Sequence, residues 1–327
     1  MDGLEEFRRN VAHEAGSGAG GIQEAPYETD YLRAVTVAAM ALPLVNDRVL
    51  EHCRKAPERM AWLDRLPRAI QELLDRWQLT IEERFEGEGD ASWVAPVSCR
   101  DGSPAVLKLG MPHMEADHEI DGLRFWGGDA TVRLLEADPV LGAMLLERCE
   151  PGTRLRELLE EEQDVVLGRL APRLWKVPPA GNPFRPLSAM IEQWVGETLA
   201  QDASWTDAGV VRAGIDAFRE LASRGSPAVL LATDLHAGNV LRGQREPWLV
   251  IDPKPFVGDP AYDATQHLLN CHERMQADPR GTIDRFAGLL AADRERVRLW
   301  MFARVAAEPR DDWSNERWAG VARAIAP

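Results

Sequence analysis

Between Glu58 and Trp77 the apolar residues Met60, Leu63, Leu66, Ile70, Leu73, Leu74 and Trp77 recur at steps of three or four. That spacing lines one face of an amphipathic helix, with Pro67 as a kink or boundary. The pattern then changes: Leu79 to Phe85, Ala91 to Val97 and Ala105 to Leu109 are short, turn-bounded and rich in Val, Trp, Ile or Phe, which predicts three strands of a meander. Gly87-Glu88-Gly89-Asp90 and Arg100-Asp101-Gly102-Ser103 supply the hairpin chemistry between them. A helix from Met114 to Trp126 and two further strands, Val132 to Leu135 and Leu141 to Leu146, complete this region, and Glu150-Pro151-Gly152 breaks the pattern. Beyond it the helical period returns over Leu155 to Leu174, Leu187 to Leu199, Ala208 to Ser223, Tyr262 to Glu273, Thr282 to Leu290 and Arg294 to Ala307. One β-like island interrupts these helices at Val229 to Leu231, Val240 to Leu241 and Trp248 to Ile251. Upstream, helices are predicted at Leu4 to Glu14, Glu28 to Ala41 and Asn46 to Arg54, the first followed by a Gly-rich run from Ala15 to Gly21. The pattern is α+β: a small lobe with a five-stranded antiparallel sheet and one helix, then a larger, mostly helical lobe, with the cleft between them as the default site.

Composition narrows the functional classes. With 45% hydrophobic and 28% charged residues, the 327-residue chain is a soluble globular one, long enough for two lobes with separate cores. Its formal charge of −15 argues against nucleic acid or an anionic membrane as partner. The excess lies mainly in the first 150 residues, with 28 acids against 16 bases, so it is not evidence for a cationic substrate. Cys53, Cys99, Cys149 and Cys271 have no metal-ligand spacing and read as reduced thiols of a cytoplasmic protein. Asp2, Glu5 and Glu6 speak against a secretory leader, and the apolar stretch Ala34 to Val45 is too short to span a bilayer. Only Lys55, Lys108, Lys176 and Lys254 are lysines, which gives a lysine inside an apolar segment added weight.

The candidate chemistry is concentrated in the β-like island: Asp234-Leu235-His236-Ala237-Gly238-Asn239, then an apolar strand ending in Asp252-Pro253-Lys254. A carboxylate, an amide five residues later and a second carboxylate after a short hairpin group three oxygen ligands at one point. Phosphoryl transfer needs this grouping, one carboxylate for the proton of the attacking hydroxyl and an amide and carboxylate oxygen for Mg²⁺ on nucleotide phosphates. Any one of these residues alone reads as a turn or cap residue; the three together favour the chemical reading. Lys108, inside the strand Ala105 to Leu109, can place a point charge on phosphates if Glu119 or Glu115 of the following helix holds it. The Gly87 to Asp90 turn is too acidic and too common a type to be assigned phosphate contacts. His236 reads as a hydrogen-bonding scaffold, Trp62, Trp77, Trp93, Trp126, Trp175, Trp194 and Trp300 as packing residues, and Glu160-Glu161-Glu162 as a solvated helix face.

On these residues, together with Leu145-Leu146-Glu147-Arg148 and Gly258-Asp259-Pro260-Ala261-Tyr262-Asp263, the chain resembles the aminoglycoside phosphotransferase superfamily. Within it the sequence is similar to the streptomycin 6-kinase and hydroxyurea phosphotransferase family, from about Met60 to about Ala307. The resemblance implies a two-lobed protein-kinase-like fold, with residues 1–78 an N-terminal helical extension, 79–149 the small nucleotide-binding lobe and 150–327 the large lobe. It implies Asp234 as the catalytic base, Asn239 and Asp252 as Mg²⁺ ligands, Lys108 on the nucleotide phosphates and Glu119 paired with Lys108. Glu147 to Cys149 would form the hinge that offers backbone groups to the nucleobase, and Asp259 and Asp263 would brace the loop after Asp252. The implied activity is transfer of a phosphoryl group from ATP or GTP to a hydroxyl of an aminoglycoside-like antibiotic. Open alternatives are another small-molecule acceptor, such as a sugar, nucleoside antibiotic or metabolite, and a nucleotide-binding pseudokinase. The last arises because Ala232-Thr233 stands where the family usually has His-Gly before the catalytic Asp.

Overall fold

The computed structural model describes residues 45–82, 91–223, 228–310, 312–314 and 316–327. The helices expected at Leu4 to Glu14 and Glu28 to Ala41, the Gly-rich run and the Gly87 to Asp90 turn lie outside them. Helix α1 (Asp47–Arg54) starts where the Asn46 side chain accepts the Val49 N–H at 2.9 Å. Helix α2 (Pro57–Trp77) runs through Pro67 and buries Trp62, Leu66, Ala69, Ile70 and Leu73, the stripe expected from the sequence. It ends at Gln78, whose left-handed backbone returns its N–H to Leu74.

Strands β1 (Thr80–Ile81), β2 (Ser92–Ser98), β3 (Pro104–Gly110), β4 (Leu134–Asp138) and β5 (Ala143–Glu147) form one antiparallel sheet in the order β1-β2-β3-β5-β4. Alternation along the strands divides the side chains between two cores. Ala105, Leu107, Leu109, Ala143 and Leu145 face a core shared with Val49, Cys53 and the buried stripe of α2. The described part of the N-terminal extension therefore shares its core with the sheet. Leu146 and Met144 face the other way, into a cluster with Leu123 of α3 (Glu119–Trp126), Val132 and Leu249. Lys108 pairs with Met144 across β3 and β5, so it belongs to this second face.

The single helix expected from Met114 to Trp126 is two elements, a 3₁₀ turn Met114–Ala116 and α3, divided at His118 with φ 69°. His113 accepts the Ala116 N–H at 3.0 Å, closing the first turn locally, and the break makes Glu119 the first residue of α3. At its other end Trp126 donates to the carbonyl of Leu174 at 2.9 Å, anchoring α3 in the large lobe.

The large lobe comprises α4 (Glu160–Leu174), α5 (Leu187–Leu199), α6 (Ala208–Ser223), α7 (Pro260–Asn270), α8 (His272–Ala277), α9 (Pro279–Leu289), α10 (Arg294–Ala307) and α11 (Glu316–Ile325). Buried Phe218, Tyr262 and Trp300 lie in its core, with Tyr262 edge-on to Trp300 at 5.2 Å. The expected helix Leu155 to Leu174 is a 3₁₀ turn Leu155–Glu157 followed by α4, with Glu162 capping the backbone at Leu159. Tyr262 to Glu273 divides at Cys271. The helix expected at Thr282 begins at Pro279, where the Asp278 side chain accepts the Gly281 N–H. Among the described residues no helix is long and apolar enough to cross a membrane. The β-like island is β6 (Val229–Leu231) and the hairpin β7 (Val240–Leu241) and β8 (Leu249–Val250). A strand not anticipated, β9 (Phe256–Gly258), pairs with β6.

Candidate active site

Strand β6 delivers the chain to Ala232, where the backbone turns sharply and Thr233 adopts φ 44°. The turn is held from behind by Asp263 in the first turn of α7. Its carboxylate accepts the N–H groups of Ala232 at 3.1 Å and Thr233 at 2.8 Å, and the indole N–H of Trp175 at 2.9 Å. Burial pushes this carboxyl up to about 6 against the pull of the three donors. Asp263 thus braces the residues before Asp234, not the loop after Asp252 as the resemblance implied. Asp259 caps α7 through the Ala261 N–H and accepts from the indole of Trp300 at 2.6 Å, so it fixes the helix that carries Asp263.

Asp234 follows, with its side chain 17% exposed. The Asn239 amide nitrogen donates to both its main-chain oxygen, at 3.1 Å, and its carboxylate, at 3.2 Å. This orientation directs the Asn239 amide oxygen away from Asp234. The Ile251 N–H donates to the carbonyl of Asn239 at 2.9 Å, stitching the Asn239 loop to the strand that ends at Asp252. His236 accepts the Gly238 N–H at 3.1 Å through Nδ1, and burial lowers the pKa of its imidazole, consistent with the scaffold role expected of it.

Asp252, with φ 51° and a side chain 41% exposed, meets Lys108 across the lobe boundary, Nζ to Oδ1 2.5 Å. The same ammonium donates to both oxygens of Glu119, at 2.6 and 2.7 Å. Burial alone would depress the Lys108 ammonium, but the carboxylates of Asp252 and Glu119 override it and hold the lysine charged. Burial would raise Asp252 too, but the ammoniums of Lys108 and Lys254 keep it below the usual carboxylate range. The side chain of Glu115, the other partner considered for Lys108, lies outside the described residues. Asn239 and Asp252 offer an amide and a carboxylate oxygen on adjoining, stitched segments, and the carboxylate is partly open to solvent. A hard, oxygen-seeking cation that retains water and phosphate ligands, such as Mg²⁺, fits this donor set.

The hinge residues stand apart from this cluster. The Glu147 carboxylate is gripped by Arg245, at 3.0 and 2.9 Å, and accepts the Arg133 N–H at 2.9 Å, while its own N–H pairs with the carbonyl of Arg133. Arg245 also donates to the carbonyls of Gly128 and Thr131, each at 2.8 Å. Glu147 is therefore an interlobe clamp, and its side chain is committed to protein partners. Cys149 packs beside the cluster of Leu123, Val132, Met144, Leu146 and Leu249, and burial pushes its thiol up to about 12.

Three neighbours of Asp234 in the candidate site were not identified from the sequence. Lys254 donates to the Asp234 carboxylate at 2.6 Å; its position two residues beyond Asp252, in a lysine-poor chain, was the available signal. Gln266 and Arg304 line a cavity of about 200 Å³ with Asp234, Lys254, Trp194, Tyr262 and Glu308. Arg304 lies between the rings of Trp194 and Tyr262, at 5.5 and 5.3 Å, and bonds Glu308 in bidentate fashion at 2.8 and 2.9 Å. Trp194, read as a packing residue, therefore also forms a wall of the space next to Asp234.

The sequence profile of the aminoglycoside/hydroxyurea antibiotic resistance kinases matches residues 76–311. Over 261 residues the chain is 38% identical to the streptomycin 6-kinase of Streptomyces glaucescens, covering 76% of this chain and 83% of that protein. It is 37% identical over 250 residues to the hydroxyurea phosphotransferase of Kitasatospora aureofaciens, covering 75% and 72%. Among solved structures, a choline kinase of Streptococcus pneumoniae superposes with a TM-score of 0.55 at 13% identity, over 78% of this chain and 96% of that one. A choline/ethanolamine kinase family protein of Mesorhizobium loti gives 0.51 at 16% identity, over 74% and 87%. Such low identity speaks to the fold alone, and the shared fold is the two-lobed, protein-kinase-like one.

Proposed function

The chain belongs to the aminoglycoside/hydroxyurea antibiotic resistance kinases, and from that membership we propose that it is an ATP- or GTP-consuming, Mg²⁺-dependent O-phosphotransferase that inactivates an aminoglycoside-like antibiotic. The observation that carries this reading is the joining of residues 144 apart in sequence into one line of contacts. Glu119 holds Lys108, Lys108 reaches Asp252, and beside them Asp234 is held by Asn239 and Lys254.

Lys108, clamped by Glu119, meets the α- and β-phosphates of the donor, while backbone groups of 147–149 face its base. Asn239 and Asp252 would hold Mg²⁺, which supplies charge neutralisation on the phosphates. Asp234 orients the acceptor hydroxyl and takes its proton as the oxygen attacks the γ-phosphorus. The bond from that phosphorus to the bridging oxygen breaks, and a nucleoside diphosphate leaves. The acceptor ring occupies the cavity of about 200 Å³, with Trp194 and Tyr262 as apolar walls and Gln266 and Glu308 as polar ones. Most of the catalysis is positioning and charge neutralisation. Against the pseudokinase alternative stands the support of the main chain at Ala232 and Thr233 by Asp263, which does not need the side chains of the usual His-Gly. The enzyme acts in the cytoplasm, where nucleotide donors are plentiful and its four free cysteines stay reduced.

The test is Asp234→Asn, assayed with aminoglycosides, nucleoside antibiotics and sugars by mass spectrometry for the gain of one phosphoryl group. The native chain is expected to phosphorylate an aminoglycoside-like acceptor, while the variant binds Mg²⁺-nucleotide and yields no product. Product formed by the variant at the native rate would end the assignment of Asp234. A native chain that nucleotide with Mg²⁺ does not stabilise in a thermal melt would end the kinase reading altogether.

A further inference from the structure

We propose that Lys254 is a further catalytic residue, whose ammonium contacts the γ-phosphoryl group during its transfer from nucleotide to acceptor; the proposal rests on the phosphotransferase reading above. The site has two ammoniums, and they are placed differently. Lys108 stands on the small-lobe sheet, 7% exposed and enclosed by Glu119 and Asp252. Lys254 comes from the large lobe, is 19% exposed, and opens into the cavity beside Asp234, where an acceptor hydroxyl must lie to give up its proton.

The backbone fixes this placement. The Lys254 N–H donates to the carbonyl of Ala232 at 2.8 Å, and its carbonyl accepts the Thr233 hydroxyl at 2.6 Å. Pro253 and Pro255 flank it, and Pro255 packs so closely on α3 that a methyl group at Gly122 would lie 2.9 Å from its ring. A long, rotamer-rich side chain is thereby attached at a rigid point one residue pair away from the catalytic carboxylate.

The chemistry assigns the charge a use. Bond formation joins the acceptor oxygen, at Asp234, to the γ-phosphorus as the bridging P–O bond breaks, so the equatorial oxygens pass through the space between Asp234 and Asp252. The cation bonded to Asp234 at 2.6 Å borders that space. As Asp234 takes the hydroxyl proton its own negative charge is cancelled, and the Lys254 ammonium exchanges that carboxylate for the phosphoryl oxygens. A preorganised cation that strengthens its contact as charge moves is the arrangement that stabilises a transition state. A nucleoside diphosphate, ending at the β-phosphate near Lys108, does not extend to Lys254.

The experiment compares Lys254→Met and Lys254→Arg with the native chain. Calorimetric binding of ADP and of the non-hydrolysable β,γ-imido analogue of ATP is measured with Mg²⁺, alongside kcat and KM for an acceptor the native chain uses. Lys254→Met is expected to bind ADP within twofold of native while its affinity for the imido analogue falls about tenfold, and kcat falls about 10²–10³-fold, as for loss of one transition-state donor. Lys254→Arg is expected to restore at least a tenth of the native kcat. Equal loss of both nucleotides, or unchanged binding of both with kcat within threefold of native, overturns the proposal. In a native chain that yields no phosphorylated product the kinase reading fails, yet the difference between the two nucleotides still decides whether Lys254 touches the γ-phosphoryl group.

Discussion

Thr233 offers a test of how the loop that carries Asp234 is held. It stands at φ 44°, where a β-branched residue is strained by about 1–2 kcal/mol, and its hydroxyl donates to the carbonyl of Lys254 at 2.6 Å. Thr233→Val keeps the shape and the strain but removes the donor, leaving a part-buried carbonyl without that bond at a cost of about 1–3 kcal/mol. Thr233→Gly leaves the same carbonyl without that bond at the same cost of about 1–3 kcal/mol and gives the unfolded chain about 0.4–1 kcal/mol more freedom, but releases about 1–2 kcal/mol of strain. Strain release outweighs the added freedom of the unfolded chain, so the Gly form loses less stability than the Val form. The Gly form should therefore melt between native and Val, and the Val form lowest, about 2–4 °C below native for a chain of this size. Thermal unfolding followed by circular dichroism measures the order, with kcat alongside it. Both variants should lose some turnover, because each loosens the main chain that carries Lys254 beside Asp234, while the Lys254 ammonium keeps its bond to that carboxylate. A Val form as stable as native, or a Gly form least stable of the three, would refute the balance drawn here between strain and hydrogen bond.

The parts of the molecule legible in the sequence are those governed by local periodicity. Leu187–Leu199, Ala208–Ser223 and Arg294–Ala307 have the bounds expected from their apolar spacing. The chemical motif was legible for a similar reason: Asn239 and Asp252 flank one hairpin whose strands announce themselves, Asp234 stands in the loop that leads into it, and Lys108 interrupts an apolar strand. What sequence could not show arises from long-range contacts. The break before Glu119 depends on a turn closed by His113, and the support of the loop that carries Asp234 comes from Asp263, 30 residues away from Thr233. Glu147 was legible as a strand end but not as the carboxylate that Arg245 grips across 98 residues. Strand β9 is three residues long beside Pro255, too short to carry a period, and exists because β6 offers it a partner.

Two stability predictions follow from the large lobe. Gly214→Ala places a methyl group 2.6 Å from the Cβ of Ala306 and 2.9 Å from that of Ala307, neither of which can rotate away. Overpacking between α6 and α10 should outweigh the gain in helix propensity and lower stability by about 1–3 kcal/mol, so an unchanged or raised Tm would refute it. Asp164→Asn acts on a buried ionic cluster: Asp164, 1% exposed, accepts from Arg274 at 2.8 and 2.9 Å and bonds His267 at 2.8 Å, with Cys271 alongside. The guanidinium already engages both carboxylate oxygens, so the cluster works as a brace between α4 and α7–α8. Burial would raise this carboxyl, but Arg274 and His267 hold it at about 2. Removing its charge leaves Arg274 with Glu160, bonded at 2.6 Å, as its carboxylate partner and should cost about 1.5–3 kcal/mol, roughly 2–5 °C in Tm. Because the folded value lies below the unfolded one of about 3.9, the contribution is whole above that value and fades only as pH falls toward 2. The gap in urea midpoint between native and Asp164→Asn should hold constant from pH 7 to 5, and a gap that closes within that range would place the stabilising charge on another group.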